Sequence, residues 1–231
     1  MIKKALPSLL ISAMLVASGC TPATEQKNDY YMKDSQGNTT GIPKFTAGKD
    51  PQLAMPGEGE KIAVMETDFG TIKIRLFTKD VPTLTRNFMG LAKSGKYDGT
   101  PFHRVVKNFM IQGGDFTNGD GTGGYSYKGP GTNLPNEINP AYHHLYGTLS
   151  MAKTNEPVSI GSQFFIVTNK EGTSFLDGKY SPIGQVFEGQ DVADKIAALE
   201  INNTEKPSQI VKIKTVTITT YTNDKTGSTQ S

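Results

Sequence analysis

Phe102-His103-Arg104-Val105-Val106-Lys107-Asn108-Phe109-Met110-Ile111-Gln112-Gly113-Gly114-Asp115 interleaves one arginine and one glutamine with a run of apolar side chains. Successive side chains of a strand point to opposite faces. If Phe102 to Val106 and Met110 to Gln112 are strands, Arg104 and Gln112 therefore project the same way, beside the bulk of Phe109 and Met110. Polar groups set against apolar ones in this manner suit a small apolar ring attached to a peptide group. A core strand with one arginine on its wet face fits the residues equally well, because arginine is usually exposed.

Outward from this stretch the chain reads as short strands with turn punctuation. Ile62 to Thr67 and Thr71 to Phe77 alternate around Asp68-Phe69-Gly70, a hairpin signal, and Ile210 to Tyr221 alternates again. Two helices interrupt them. Pro82 to Ala92 has proline in its first turn and carries Leu84, Phe88 and Leu91, while Asp191 to Leu199 sets Val192, Ile196 and Leu199 on one face. The expected class is mainly β, with a closed sheet that leaves no exposed edge.

Extended to FHRVVKNFMIQGGDFTNGDGTGG, the opening stretch closely resembles the central signature of the cyclophilins, the peptidyl-prolyl cis/trans isomerases. Upstream, TDFGTIKIRLFTKDVPTLTRNFMGLAKSGKYDGTPF is similar to the family's first hairpin and helix. Downstream, GTLSMAK, GSQFFIVT, FLDGKYSPIGQVFEG and DVADKIAAL follow in the family's order, so the resemblance spans Lys61 to Tyr221. It implies a closed eight-stranded antiparallel cyclophilin-like barrel capped by two helices. It also implies rotation about X-Pro bonds as the activity, proline-containing polypeptides as substrates, and neither cofactor nor metal. Carried over position by position, it makes Arg104 the catalytic arginine and Gln112 the residue that orients it and holds substrate backbone. His103 is the neighbouring histidine of the catalytic group, closer in role to structure or substrate lining than to a general base. Phe109, Met110, Phe165 and Leu176 become the proline pocket, Gln163 and Ala152 the adjoining peptide groove, and Gly121 and Thr122 the border of the subsite before the proline. Phe164 and Phe165 must face opposite ways. The residues alone do not choose between them, and it is the match to GSQFF that assigns Phe165 to the pocket.

Three positions depart from the family's common pattern. Phe175 and Tyr180, at the rim of the substrate site, stand where many members have tryptophan and histidine, and the chain contains no tryptophan. Loss of an indole donor implies weakened cyclosporin binding while leaving the proline pocket apolar. Lys153-Thr154 follows Ala152 where Asn-Ala is common, which puts the preference for the residue before proline in question.

At the N-terminus, Lys3 and Lys4 precede the apolar run Leu6 to Val16, which ends in Ala17-Ser18-Gly19-Cys20. These are the positive, apolar and small-residue sections of a secretory signal, and the run is too short for a membrane span. Cys20 is the only cysteine. Its setting resembles a bacterial lipobox, with Ala17 where leucine is usual. That resemblance implies removal of residues 1–19, lipidation of Cys20 (palmitate among the acyl chains) and anchoring on the extracytoplasmic side of the cell membrane, where exported proteins would be the substrates. Residues 20–60 are polar and Gly/Pro-rich and read as a flexible tether spanning roughly 30 to 40 Å. The alternative is that Tyr30, Tyr31 and Phe45 dock part of it. Residues 61–221 form the isomerase-like domain and 222–231 a polar tail.

A single cysteine forms no internal disulfide, so stability rests on packing. Loss of residues 1–19 removes two lysines and no acids, taking the formal charge from +2 to 0, which argues against nucleic acid as a partner. Gly119-Asp120-Gly121-Thr122-Gly123-Gly124 satisfies G-x-G-x-x-G, but the Gly- and Pro-rich sequence after it opens no helix, so it reads better as a loop bordering a groove. The histidines have no H-E-x-x-H spacing and no serine sits in a G-x-S-x-G elbow. Two competing classes stand beside the enzyme. One is a lipoprotein that only holds proline-containing peptides in the same groove. The other is a solute-binding lipoprotein, for which the chain is short. Arg104 and Gln112 favour the enzyme, since a binder needs the pocket and not the donor.

Overall fold

The computed structural model describes residues 32–33, 39–40 and 50–223. In chain order the strands are β1 (Met32–Lys33), β2 (Thr39–Thr40), β3 (Lys61–Thr67), β4 (Gly70–Leu76), β5 (Arg104–Val106), β6 (Met110–Gly113), β7 (Leu134–Pro135), β8 (Thr148–Met151), β9 (Val158–Ile160), β10 (Phe164–Val167), β11 (Ser181–Glu188) and β12 (Ile213–Thr220). The helices are α1 (Pro82–Lys93) and α2 (Gln190–Ala197). The signal segment, Cys20, Tyr30, Tyr31, Phe45 and the tail from residue 224 lie outside the described residues.

Eight strands form one curled sheet in the order β12-β3-β4-β11-β8-β10-β6-β5, each antiparallel to its neighbours. The expected hairpin is β3–β4, turning at Asp68-Phe69, and both expected helices are present. The expected closure is corrected: the sheet is an open half-barrel, and among the described residues β5 and β12 share no ladder. Across the gap, residues 99–105 and 205–213 exchange only scattered bonds. Gly99 N–H donates to Ile213 O (2.7 Å), Phe102 N–H to Val211 O (3.0 Å) and Val105 N–H to Glu205 O (2.8 Å). Pro101 and Pro207 lie in these two segments. A proline has no N–H to donate, so regular pairing cannot propagate there.

The helices cover the apolar faces of the sheet. Helix α1 lies against β11 and β12, and α2 against β4, β5 and β6. Leu84, Phe88 and Leu91 of α1 are buried, as their spacing predicts. The first turn of α1 has no cap from its own sequence. Instead the Glu137 carboxylate accepts from Thr83 N–H (3.2 Å) and Leu84 N–H (2.9 Å), which satisfies two otherwise orphaned donors and sets a negative charge at the positive end of the helix. Between helix and sheet, Phe164 meets Phe88 (5.6 Å between ring centroids), Tyr97 (5.4 Å) and Phe102 (6.5 Å) edge-on. The Tyr97 hydroxyl is satisfied by Ser162 O at 3.0 Å, so this large ring stays buried without an unpaired polar group.

Part of the stretch expected as tether is built into the fold. Asp50 caps a short turn, Pro51–Leu53, in which Leu53 and Gln52 are buried. The Gln52 side-chain amide donates to His143 O (2.7 Å) and Thr148 Oγ1 (2.9 Å) and accepts from His143 N–H (2.8 Å). Further upstream β1 pairs with β2 and, through Lys33 opposite Glu188, runs parallel to the end of β11.

Candidate active site

Register builds the site. Arg104 in β5 is paired with Gln112 in β6, Gln112 with Phe165 in β10, and Phe165 with Ser150 in β8, so the four form one row across the sheet. Neighbours one residue along point the other way, and Val105, Ile111, Phe164 and Ile166 join the core cluster. Two residues along, Met110 returns to the first face, where it packs with Phe165, Val167 and Leu176. One face of the β5–β6–β10 segment therefore carries a guanidinium, an amide and an aromatic floor in sequence. The choice between Phe164 and Phe165 is settled by this alternation: Phe164 is interior and Phe165 opens onto the groove.

The polar side chains form a directed chain. Arg104 Nε donates to Glu205 Oε2 (2.5 Å) and its Nη1 to Gln112 Oε1 (3.3 Å). Gln112 Nε2 donates to Gln163 Oε1 (2.9 Å), and Gln163 Nε2 to the carbonyls of Gly121 (2.9 Å) and Gly123 (2.8 Å). The glycine loop at the end of this chain is organised by Asp115, which is only 1% exposed. Its carboxylate accepts from five backbone N–H groups, those of Thr117, Asn118, Asp120, Gly121 and Gly123. Burial pushes the Asp115 carboxyl up, but these donors outweigh burial and hold it down at about 2. Gly123 is required by the cradle, since a Cβ there would stand 2.6 Å from Asp115 Oδ1. Gly121, at φ +95, lies flat on the His103 ring, whose Cδ2 a Cβ would meet at 3.0 Å.

His103 is 7% exposed, and neither ring nitrogen makes a hydrogen bond of good geometry, Gln163 being the side chain that approaches the ring. Burial lowers its pKa, opposed by the charges of Asp115 and Asp120. On the far side of the floor, the His144 ring stacks on Phe165 at 5.9 Å. Asp177 Oδ1 (2.8 Å) and Ser150 Oγ (3.0 Å) hold the two nitrogens of that ring, and burial lowers its pKa against the pull of Asp177. Tyr180 meets Phe165 edge-on at 5.8 Å, and Phe175 approaches Phe109 at 5.5 Å from the rim, 60% exposed.

These groups surround a cavity of about 550 Å³. His103, Arg104, Phe109, Met110, Gln112, Gly121, Thr122, Ala152, Phe165, Phe175, Leu176 and Tyr180 all line it, which brings together every sequence-predicted site residue except Gln163 and the undescribed Cys20. Gln163 lines an adjoining cavity of about 280 Å³ that shares Gln112, Gly121, Thr122 and Ala152. An apolar pocket with a few convergent donors is built to hold and orient a small ligand.

A family model for the cyclophilin type peptidyl-prolyl cis-trans isomerase/CLD matches residues 62–218. The chain belongs to the cyclophilin family. Among curated cyclophilin-type relatives, peptidyl-prolyl cis-trans isomerase B of Saccharomyces cerevisiae is 42% identical over 153 residues, covering 64% of this chain and 72% of the relative. CYP18-2 of Arabidopsis thaliana is 38% identical over 161 residues, covering 69% and 94%. Isomerase 9 of Schizosaccharomyces pombe is 41% identical over 160 residues, and the chain spans 25% of its length. A crystal structure of a Cryptosporidium parvum cyclophilin type isomerase superposes with a TM-score of 0.65 at 32% identity, covering 71% of this chain and 99% of that one. The same parvum protein in the presence of the dipeptide Ala-Pro gives 0.64 at 34% identity, with coverages of 70% and 99%.

Reading the cyclophilin signature alone misses Glu205, His144, Thr204 and Lys206. The last two line the main cavity, while Glu205 and His144 sit behind Arg104 and Phe165. All four come from segments distant in sequence that carry no motif, and the only local hint is Pro207, which marks a turn.

Proposed function

We propose that this cyclophilin-family isomerase turns X-Pro bonds of exported proteins as they fold, with Arg104 as the donor that stabilises the twisted amide, held at the membrane through lipidated Cys20. The obstacle to rotation is amide resonance, about 18 to 20 kcal/mol. No bond is made or broken. As the amide twists, the proline nitrogen regains its lone pair and the carbonyl becomes ketone-like. A fixed guanidinium meets that state better than the planar one and lowers the barrier by differential binding. Arginine suits the task because it stays charged and offers several donors in one plane without giving up a proton. An acceleration of about a hundred-thousandfold would need roughly 7 kcal/mol.

The observation that carries this reading is the cross-strand row Arg104-Gln112-Phe165, which sets a tethered guanidinium beside an apolar floor of the size of a proline ring. Phe109, Met110, Phe165 and Leu176 hold the ring. Gln112, Gln163 and the glycine loop meet the peptide before it. The test is the cis-to-trans rate of a short Ala-Pro peptide with the full chain, wild type against Arg104→Ala, with circular dichroism reporting the fold. The expected loss is about 2 to 4 kcal/mol of transition-state stabilisation, the scale of one preorganised donor. A folded wild type without rate enhancement would refute the catalytic reading and leave a peptide-holding groove.

Export and anchoring are supported by Lys3, Lys4, the apolar run and Cys20. Slow prolines limit folding on the timescale of secretion, which gives the activity a use there. Multiple acyl chains on one cysteine hold a protein more firmly than one chain does. Cys20→Ala is expected to move the protein from the membrane to the soluble fraction. Unchanged membrane association would sink the anchor.

A further inference from the structure

We infer that Glu205 is a positioning residue for isomerisation: it grips the Nε edge of Arg104 so that the Nη groups face the groove. The inference rests on the reading of Arg104 as the donor.

Residues 201–207 form a turn that ties itself together. Ile201 and Pro207 bridge its ends. Asn202 N–H donates to Lys206 O (3.0 Å), and the Asn202 side-chain oxygen accepts from Thr204 N–H (2.9 Å) and Lys206 N–H (3.0 Å). Glu205 N–H donates to Asn202 O (3.0 Å), and its backbone sits at φ 59. That is a left-handed conformation disfavoured for a residue with a Cβ, held here by the surrounding bonds. The Glu205 carbonyl then accepts Val105 N–H at 2.8 Å, fixing the turn to the residue next to Arg104. The turn is thus built to present one carboxylate at one place, and that carboxylate meets Arg104 Nε at 2.5 Å.

Fold stability does not account for the pair. Both side chains are about two-fifths exposed, 42% and 40%, and exposed ion pairs contribute little to stability. The effect on geometry is larger. Arginine is long and rotamer-rich, and Glu205 and Gln112 together hold Nε and Nη1, leaving Nη2 without a protein partner among the described residues. A donor fixed before the substrate twists loses no conformational freedom at the moment of reaction.

The test measures Ala-Pro isomerisation by the full chain in five forms: wild type, Arg104→Ala, Glu205→Ala, Glu205→Gln and Glu205→Asp. It is read together with the Arg104 Nε–H signal in a proton–nitrogen NMR spectrum, assigned by its disappearance in Arg104→Lys. Glu205→Ala is expected to lower kcat about tenfold, less than the roughly hundredfold that a 1 Å misplacement of a reacting group can cost, with KM changed less than about twofold. Its Nε–H signal is expected to move upfield and exchange faster, with an unchanged thermal midpoint. Glu205→Asp should recover part of the rate and of the shift, and Glu205→Gln, which keeps an acceptor without the charge, should fall between. Wild-type kinetics in Glu205→Ala beside an impaired Arg104→Ala would overturn this inference alone. Lost activity with an unmoved Nε–H signal would overturn it in favour of a structural role. An unimpaired Arg104→Ala would remove the reading on which it rests.

Discussion

His103 touches the groove beside Arg104, yet isomerisation moves no proton, so its charge state should matter little. Burial keeps its pKa below the ordinary 6.5, and the ring is neutral from there upward. The same holds for His144 behind Phe165. kcat/KM for an Ala-Pro peptide is therefore expected to stay within about twofold from pH 6.5 to 9, above the reference histidine pKa; a bell-shaped profile centred near neutrality would instead make His103 an acid or base. The sign for stability is separate. Below about 6.5 the unfolded chain takes up protons that the folded histidines resist, so their contribution is complete above that pH and is lost as pH falls. At the rim, Phe175 offers an apolar face and no donor. Phe175→Trp adds an indole N–H, and cyclosporin affinity is expected to rise by roughly 5- to 10-fold, the worth of one net hydrogen bond; titration calorimetry on the two forms decides it. Arg104, Gln112 and Met110 were legible because period-two alternation places them on one face whatever the rest of the chain does. Glu205 and His144 were not, since a residue that acts by bracing another across the fold leaves no local pattern.

Among the elements, the hairpin β3–β4 and helices α1 and α2 follow from alternation and apolar spacing, while what holds their ends does not. Glu137 caps α1 from more than fifty residues away. The glycine loop was legible as a groove border, because no helix follows it, but the carboxylate at its centre was not. With its pKa at about 2 in the folded protein against about 3.9 unfolded, Asp115 contributes on the order of 2 kcal/mol, present above pH 4 and lost as pH falls toward 2. In thermal melts between pH 5 and pH 2, Asp115→Asn should therefore start lower than wild type at pH 5, with the gap closing toward pH 2. A gap that stays constant would mean that the hydrogen bonds matter and the charge does not. Because Gln163 hangs from Gly121 and Gly123, loosening this loop should also raise KM.

At the scale of the whole molecule, the sequence suggested a sheet that closes, and the protein leaves it open between two segments that each contain a proline, Pro101 opposite Lys212 and Pro207 opposite Ile201. Strand patterns report which residues alternate, whereas closure depends on whether every backbone donor and acceptor along the last edge has its complementary partner. The domain boundary differs for a similar reason. Residues 50–60 lack apolar periodicity, so composition alone reads them as tether, but Gln52 is a buried amide that satisfies backbone on both sides of His143. His143 precedes His144, which stacks on the pocket floor at Phe165, so the N-terminal turn braces the groove from behind. Replacing Gln52 by alanine takes the acceptor from His143 N–H and breaks the buried bonds to Thr148 and Gln185, while His143 O keeps Thr148 Oγ1 as a donor, at about 1 to 3 kcal/mol. In the full chain the thermal midpoint is expected to drop by roughly 2 to 10 °C for a body of this size, with KM for an Ala-Pro peptide rising as the His144–Phe165 stack loosens. An unchanged midpoint would return residues 50–60 to the tether. A lowered midpoint with unchanged KM would keep the turn in the fold but uncouple it from the cavity floored by Phe165.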